Sequence, residues 1–273
     1  MTYASVVPAA SRQPKVMGIL NVTPDSFFDG GLYFAEEAAM ARGREMFAQG
    51  ADIVDVGGES SRPGATEVDE QEELRRVLPV IRGLAPHGRV SVDTVKAGVA
   101  DAALDSGASL LNDVSGTLWE VAAARGAPWV AMHRKGTPAD MQVDPRYDDV
   151  VQEVHDELVA LALKAKDAGV HKVWIDPGIG FGKTVEHNLS LLRELASLVD
   201  AGMALGCPVM VGTSNKWFLG AIASGTQERL GTQERSEASL ASATWAMSKG
   251  VSMVRVHEVG PASQAARLVG SGV

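Results

Sequence analysis

Eight short apolar runs recur along nearly the whole chain, and nearly all of them carry a polar residue at or near their end. They are VMGILNV (16–22), DIVDVG (52–57), RVSVDT (89–94), SLLNDV (109–114), PWVAMH (128–133), KVWIDP (172–177), PVMVGT (208–213) and SMVRVHE (252–258). Runs this continuously hydrophobic suit parallel strands that are covered by helices on one face and packed on the other. Helical patterns separate them. Val151, Val154, Leu158 and Leu161 repeat at helical spacing, and Leu189, Leu192, Leu195 and Val199 do the same within the single stretch HNLSLLRELASLVDAG. Asp69 followed by Glu72 resembles a helix-opening capping box, and Gly50, Gly107, Gly169 and Gly250 stand where helices should stop.

Eight strand–helix units in a chain of 273 residues predict a single (β/α)8 TIM barrel over residues 16–273, after a loose tail at 1–15. The competing doubly wound sheet would place G-x-G-x-x-G after its first strand, where this chain has NVTPDSFFDGG. A tandem repeat, GTQER at 225–229 and 231–235, reads as an exposed insertion after strand seven.

Composition narrows the partners. The net charge is −9 and no block of Lys and Arg stands out, which argues against duplex nucleic acid. An anionic small molecule remains compatible where a few cations are focused locally. Cys207 is the sole cysteine, so no intrachain disulfide can form. Residues 1–15 lack the apolar run of a signal peptide, and no segment is long and apolar enough to span a bilayer. The expectation is a soluble cytoplasmic protein.

A barrel draws its chemistry from the C-terminal ends of its strands. Here those ends offer Asn21, Glu59 to Arg62, Asp93, Asn112 with Asp113, His133, Asp176, Thr213 to Lys216, and Arg255 with His257. Helix capping accounts for some of these, Asp93 and Asp113 being the candidates. It does not account for them all at once. Asp93, Asn112 and Asp176 together suit a flat heterocycle with an amino-amidine edge, such as a pterin or guanine, because carboxylates accept parallel N–H bonds and an amide both donates and accepts. Lys216 adds a cation for a ring carbonyl or nitrogen, although it could simply pair with Asp176. Arg255 and His257 alternate as R-V-H, so period-two geometry turns both to one face, and Arg62 adds a third cationic group. Asn21 offers a hard oxygen for Mg²⁺ shared with phosphates. These features suggest a bound pyrophosphate. No zinc-ligand spacing and no G-x-S-x-G elbow is present.

IDPGIGFGKT (175–184) approaches a P-loop but misses its spacing, because the opening glycine would fall on Pro177. It reads instead as the end of strand six plus a tight glycine turn.

In order along the chain, NVTPDSFFDGG, DVGGESSRPGA, SVDT, LNDVSG, MHRKGTPADMQ, DPGIGFGK and VRVHEV closely resemble dihydropteroate synthase, from about Val16 to Val259. The resemblance implies condensation of 6-hydroxymethyl-7,8-dihydropterin pyrophosphate with 4-aminobenzoate, releasing pyrophosphate and giving dihydropteroate for folate synthesis. It implies Mg²⁺, a homodimer and a sulfonamide target. By matching positions, Asp93, Asn112, Asp176 and Lys216 would hold the pterin, with Phe181 walling the site. Ser61, Arg255 and His257 would hold pyrophosphate, with Asn21 at the metal. Phe27, Arg62, Pro63 and Phe181 would form the aminobenzoate pocket, and Trp217 would border it. Lys216, Arg255, His257 and Asp93 would carry the catalysis. The family commonly reads Ser-Arg-Lys after strand seven; this chain has Ser214-Asn215-Lys216, so one cation is missing. That departure keeps a non-catalytic pterin-binding paralogue open as an alternative, beside a methyltetrahydrofolate-binding methyltransferase.

Overall fold

The computed structural model describes residues 13–23, 32–60, 67–137, 140–224 and 235–272. Eight strands make one parallel sheet: β1 (Lys15–Asn21), β2 (Ile53–Gly57), β3 (Arg89–Asp93), β4 (Leu111–Asp113), β5 (Trp129–Met132), β6 (Val173–Asp176), β7 (Met210–Val211) and β8 (Met253–Val256). The order is β6-β5-β4-β3-β2-β1-β8-β7. A parallel bridge between Ile175 and Val209 joins the two end strands and closes the ring. This is the expected (β/α)8 barrel, in which closure leaves no open sheet edge.

The helices are α1 (Leu32–Ala48), α2 (Glu70–Leu84), α3 (Ala97–Asp105), α4 (Trp119–Arg125), α5 (Val150–Asp167), α6 (Val185–Arg193), α7 (Leu195–Ala204), α8 (Trp217–Ser224), α9 (Ser236–Ser248) and α10 (Val259–Gly270). Asp69 caps α2 by accepting the N–H of Glu72 at 2.8 Å, as its spacing suggests. Gly50, Gly107, Gly169 and Gly250 all have positive φ and follow helix ends, where left-handed backbone satisfies the last carbonyls. Two elements differ from expectation. The stretch beginning at His187 is two helices, broken at Glu194, although Leu192, Leu195 and Val199 are buried across the break. A continuous apolar stripe hides such a break from any reading by period alone. Strand β7 keeps only two residues of PVMVGT, and Pro208 has no N–H to give a ladder.

Strand side chains alternate between two environments. Val54, Val56, Val90 and Val92 face outward into the helix-covered core. Met17, Ile53, Leu110, Val130, Trp174, Met210 and Met253 form a separate buried cluster that fills the barrel. Burial of each such side chain is worth about 1.5–3 kcal/mol. Two residues beyond Ile53, Leu110, Trp174 and Met253, the same inward register carries Asp55, Asn112, Asp176 and Arg255. The apolar plug therefore ends in a polar floor.

Candidate active site

Above that floor lies a cavity of about 780 Å³ at the C-terminal mouth of the barrel. Asn21, Asp93, Asn112 and Asp176 line it from the ends of β1, β3, β4 and β6. Arg255 and His257 line it from β8 and just beyond, Lys216 from the turn before α8 and Trp217 from its first position. Phe181 enters from the glycine turn after β6. Nine residues expected at the site thus share one cavity. Phe27, Ser61, Arg62 and Pro63 lie outside the described residues, as does nearly all of the GTQER repeat. Its last residue, Arg235, is described and lines the cavity beside Asn215.

Charge in the site is tightly coupled. Arg255 Nε donates to Asp55 Oδ2 at 2.7 Å, and Nη2 donates to Asp93 Oδ2 at 2.6 Å. Burial works against the Arg255 charge, yet Asp55 and Asp93 more than offset it and hold its pKa above the ordinary arginine value. Burial pushes Asp93 up to about 7; Arg255 pulls it down, while the nearby Asp55 carboxylate pushes the same way as burial. Burial likewise raises Asp176 to about 6, opposed by the Gly178 N–H, which donates to Oδ1 at 2.8 Å, and by the Lys216 charge. Burial and the Arg255 charge bring Lys216 down to about 7. Its ammonium sits 3.7 Å from the centre of the Phe181 ring, within cation–π range. Burial thus draws Asp93, Asp176 and Lys216 from their ordinary values toward neutral pH, while Arg255 stays charged, and a ligand that supplies matching partners would fix their states.

The cationic side is also held in place. His257 Nδ1 lies 2.9 Å from Ser214 Oγ, and the His257 backbone N–H donates to the same oxygen at 3.2 Å. Asn215 has φ +58, a left-handed conformation that Asn tolerates better than most residues. Its backbone N–H donates to Ser239 Oγ at 2.9 Å, and its carbonyl accepts from Arg235 Nη1 at 2.8 Å.

IDPGIGFGKT is a turn built around its own lysine. Lys183 is fully buried, and its Nζ lies 3.0 Å from the carbonyls of Gly178 and Phe181 and 2.9 Å from His133 Nδ1. An ammonium committed to three partners inside the fold does not reach out to a phosphate. Gly178 has φ +62, and a Cβ there would fall 1.8 Å from the His133 carbonyl oxygen, so only glycine fits. This turn sets Asp176 on one side and Phe181 on the other.

Several strand-end residues prove structural. Asp113 caps the following turn: Oδ1 accepts from Ser115 and Oδ2 from the Leu118 N–H and Trp129 Nε1. Capping therefore explains Asp113 but not Asp93. Glu59 pairs with Lys96, which also holds the buried Glu73 at 2.7 Å. Burial, together with the neighbouring Lys183 charge, lowers the pKa of His133 to about 3. Sequence reasoning missed Asp55. Its one trace in the sequence is an acid inside the apolar run DIVDVG, and the structure is what turns that position inward.

Residues 17–257 match the family model described as Pterin binding enzyme. A probable bifunctional folylpolyglutamate synthase/dihydropteroate synthase of Haloferax volcanii is 45% identical over 89% of this chain. This chain spans only 29% of that protein's length. The dihydropteroate synthase of Mycobacterium leprae is 43% identical over 94% of this chain and 93% of its own. The solved structure of Xanthomonas albilineans dihydropteroate synthase with 4-aminobenzoic acid superposes with a TM-score of 0.85, at 41% identity, over 94% of this chain and 92% of that one. With the cavity lined as it is, the family model covering residues 17–257 and two of these relatives matching over more than nine tenths of their own length, the chain belongs to the pterin binding enzyme family, among the dihydropteroate synthases.

Proposed function

We propose that the chain joins 6-hydroxymethyl-7,8-dihydropterin pyrophosphate to 4-aminobenzoate, giving 7,8-dihydropteroate and pyrophosphate in folate biosynthesis. The observation that carries this reading is one cavity lined together by two acids and an amide, Asp93, Asp176 and Asn112, and by the basic side chains Lys216, Arg255 and His257. Asp93, Asn112 and Asp176 accept the amino and ring N–H groups of the pterin. These donors stabilise carboxylates whose charge burial opposes. Lys216, stacked on Phe181, meets a ring carbonyl or nitrogen. Arg255 and His257 hold the pyrophosphate, together with Ser61.

The C–O bond between the pterin methylene and the pyrophosphate breaks, and the electron pair leaves with the phosphate. The pterin ring spreads the positive charge at the methylene carbon, and Arg255 and His257 stabilise the departing anion. The arylamine nitrogen then forms the new C–N bond and gives its proton to the released pyrophosphate or to water. Phe181 and Trp217, with Phe27, Arg62 and Pro63, enclose the aminobenzoate; Arg235, at the same wall, offers a cation where Asn215 replaces the family's arginine. No covalent protein nucleophile is required.

Mg²⁺ fits the donor set, with Asn21 as one hard oxygen at the cavity edge and the rest of the shell left to phosphate and water. Among the described residues no cluster of His, Cys, Asp and Glu could hold a metal without the substrate. When bound, the ion neutralises charge on the pyrophosphate.

We read the chain as one catalytic domain over residues 16–273, acting as a cytoplasmic homodimer on small-molecule substrates. Among the described residues no helix is long and apolar enough to cross a membrane. Exposed Leu240 and Trp245 on α9 offer an apolar face for a second copy, which sedimentation would detect.

The test is to incubate the purified protein with both substrates and Mg²⁺ and to follow pyrophosphate and dihydropteroate. Equal amounts of both products support the reading. Tight pterin binding without turnover would instead make this a non-catalytic pterin-binding paralogue.

A further inference from the structure

The geometry points to Asp55 as a positioning residue that fixes the hydrogen-bonding sense of the pterin wall and ties that wall to the pyrophosphate cation. Asp55 sits in the middle of β2, fully buried, two residues past Ile53 of the plug. It does not line the cavity. Its Oδ2 accepts from Asn112 Nδ2 at 2.8 Å and from Arg255 Nε at 2.7 Å. Its Oδ1 has no hydrogen-bond partner among the described residues.

A carboxylate beside a guanidinium can only accept, so the Asn112 atom facing Asp55 must be the amide nitrogen. The amide is thereby prevented from flipping. With one N–H committed to Asp55, the amide presents its oxygen and its second N–H in fixed places beside the carboxylates of Asp93 and Asp176. A ring that sets an N–H against that oxygen is recognised, and one that sets a carbonyl oxygen there is refused, because a buried acceptor facing an acceptor leaves both unpaired. Without Asp55 the amide could turn either way and the wall would lose this polarity. The same oxygen holds Arg255, whose other arm reaches Asp93 at 2.6 Å, so the pterin grip and the pyrophosphate grip share one anchor.

The proposal rests on the functional reading above, and its test keeps the two apart. Binding of 6-hydroxymethylpterin, which carries no pyrophosphate, is measured by calorimetry on the wild type, Asp55→Asn, Asn112→Ala and the double variant. Asp55→Asn should weaken binding about tenfold or more, the scale of one misdirected hydrogen bond. In the Asn112→Ala background the same change should cost less than about twofold, because the amide it orients is gone. A merely structural role predicts that the two losses multiply.

Should Asp55→Asn fail to fold, the exchange pair decides. Asn112→Asp alone sets two carboxylates together and should lose binding; adding Asp55→Asn restores a donor facing an acceptor and should recover at least part of it. A wild type that binds pterin while Asp55→Asn matches it, or an exchange pair no better than Asn112→Asp, overturns the role of Asp55 alone. A wild type that ignores pterin overturns the functional reading and this one with it.

Discussion

Asp176→Asn should make the ligand-free protein more stable at pH 8 while removing its pterin affinity. Burial raises the Asp176 pKa from 3.8 to about 6. At ~1.4 kcal/mol per pH unit, that rise corresponds to about 3 kcal/mol of strain on the folded, ionised state. The sign follows from proton counting. A carboxyl whose folded pKa is raised binds more protons in the native state between the two values. Its penalty is therefore fully present above pH ~6 and absent below ~4. Asparagine keeps the oxygen that accepts from the Gly178 N–H. It does deprive Lys216 of a counter-charge, which offsets part of the gain. A net gain of about 2 kcal/mol at pH 8, shrinking toward zero by pH 4, is expected. Urea unfolding of both proteins across that range reads it directly. Destabilisation at pH 8, or a difference that does not change with pH, would refute the argument that burial rather than pairing governs this acid.

Two glycines with nearly the same backbone angle separate strain from space. Gly178→Ala (φ +62) would put a Cβ 1.8 Å from a backbone oxygen and should cost ~4 kcal/mol or more, whereas Gly126→Ala (φ +60), with nothing within 4 Å, should cost only ~1 kcal/mol in thermal or urea unfolding. Lys183→Met should flatten part of the stability rise between pH 7 and 10. Burial lowers this lysine to about 7, so the unfolded chain holds the extra proton above that pH and wild-type stability climbs there. Asn215→Arg should lower stability by ~1 kcal/mol, because arginine tolerates the left-handed backbone less well than asparagine. It should leave the KM for 4-aminobenzoate nearly unchanged if Arg235 already supplies the cation; a marked fall in KM would show that it does not.

The sites most legible in the sequence were those where an apolar run stops at a polar residue, because a barrel turns strand ends into one mouth. Asp93, Asn112, Asp176 and Arg255 were readable for that reason. Asp55 was not, since a single acid inside an apolar run carries no sign of whether it faces the barrel or the helices. Asp113 and His133 sit at equally polar strand ends yet serve a turn cap and a lysine, and only their partners reveal it. Lys183 misleads in the opposite direction, because its neighbours resemble a phosphate loop while its amine points inward. The division of the His187 stretch into α6 and α7 was hidden by an apolar spacing that runs straight through Glu194.

Strand β7 spans two residues, and a lone bridge between Ile175 and Val209 completes the ring beside it. Asp176 stands on one bank of that thin joint and Lys216 on the other. A molecule held by both would act as a suture across that narrow stave of the cask, adding to the single bridge that joins it.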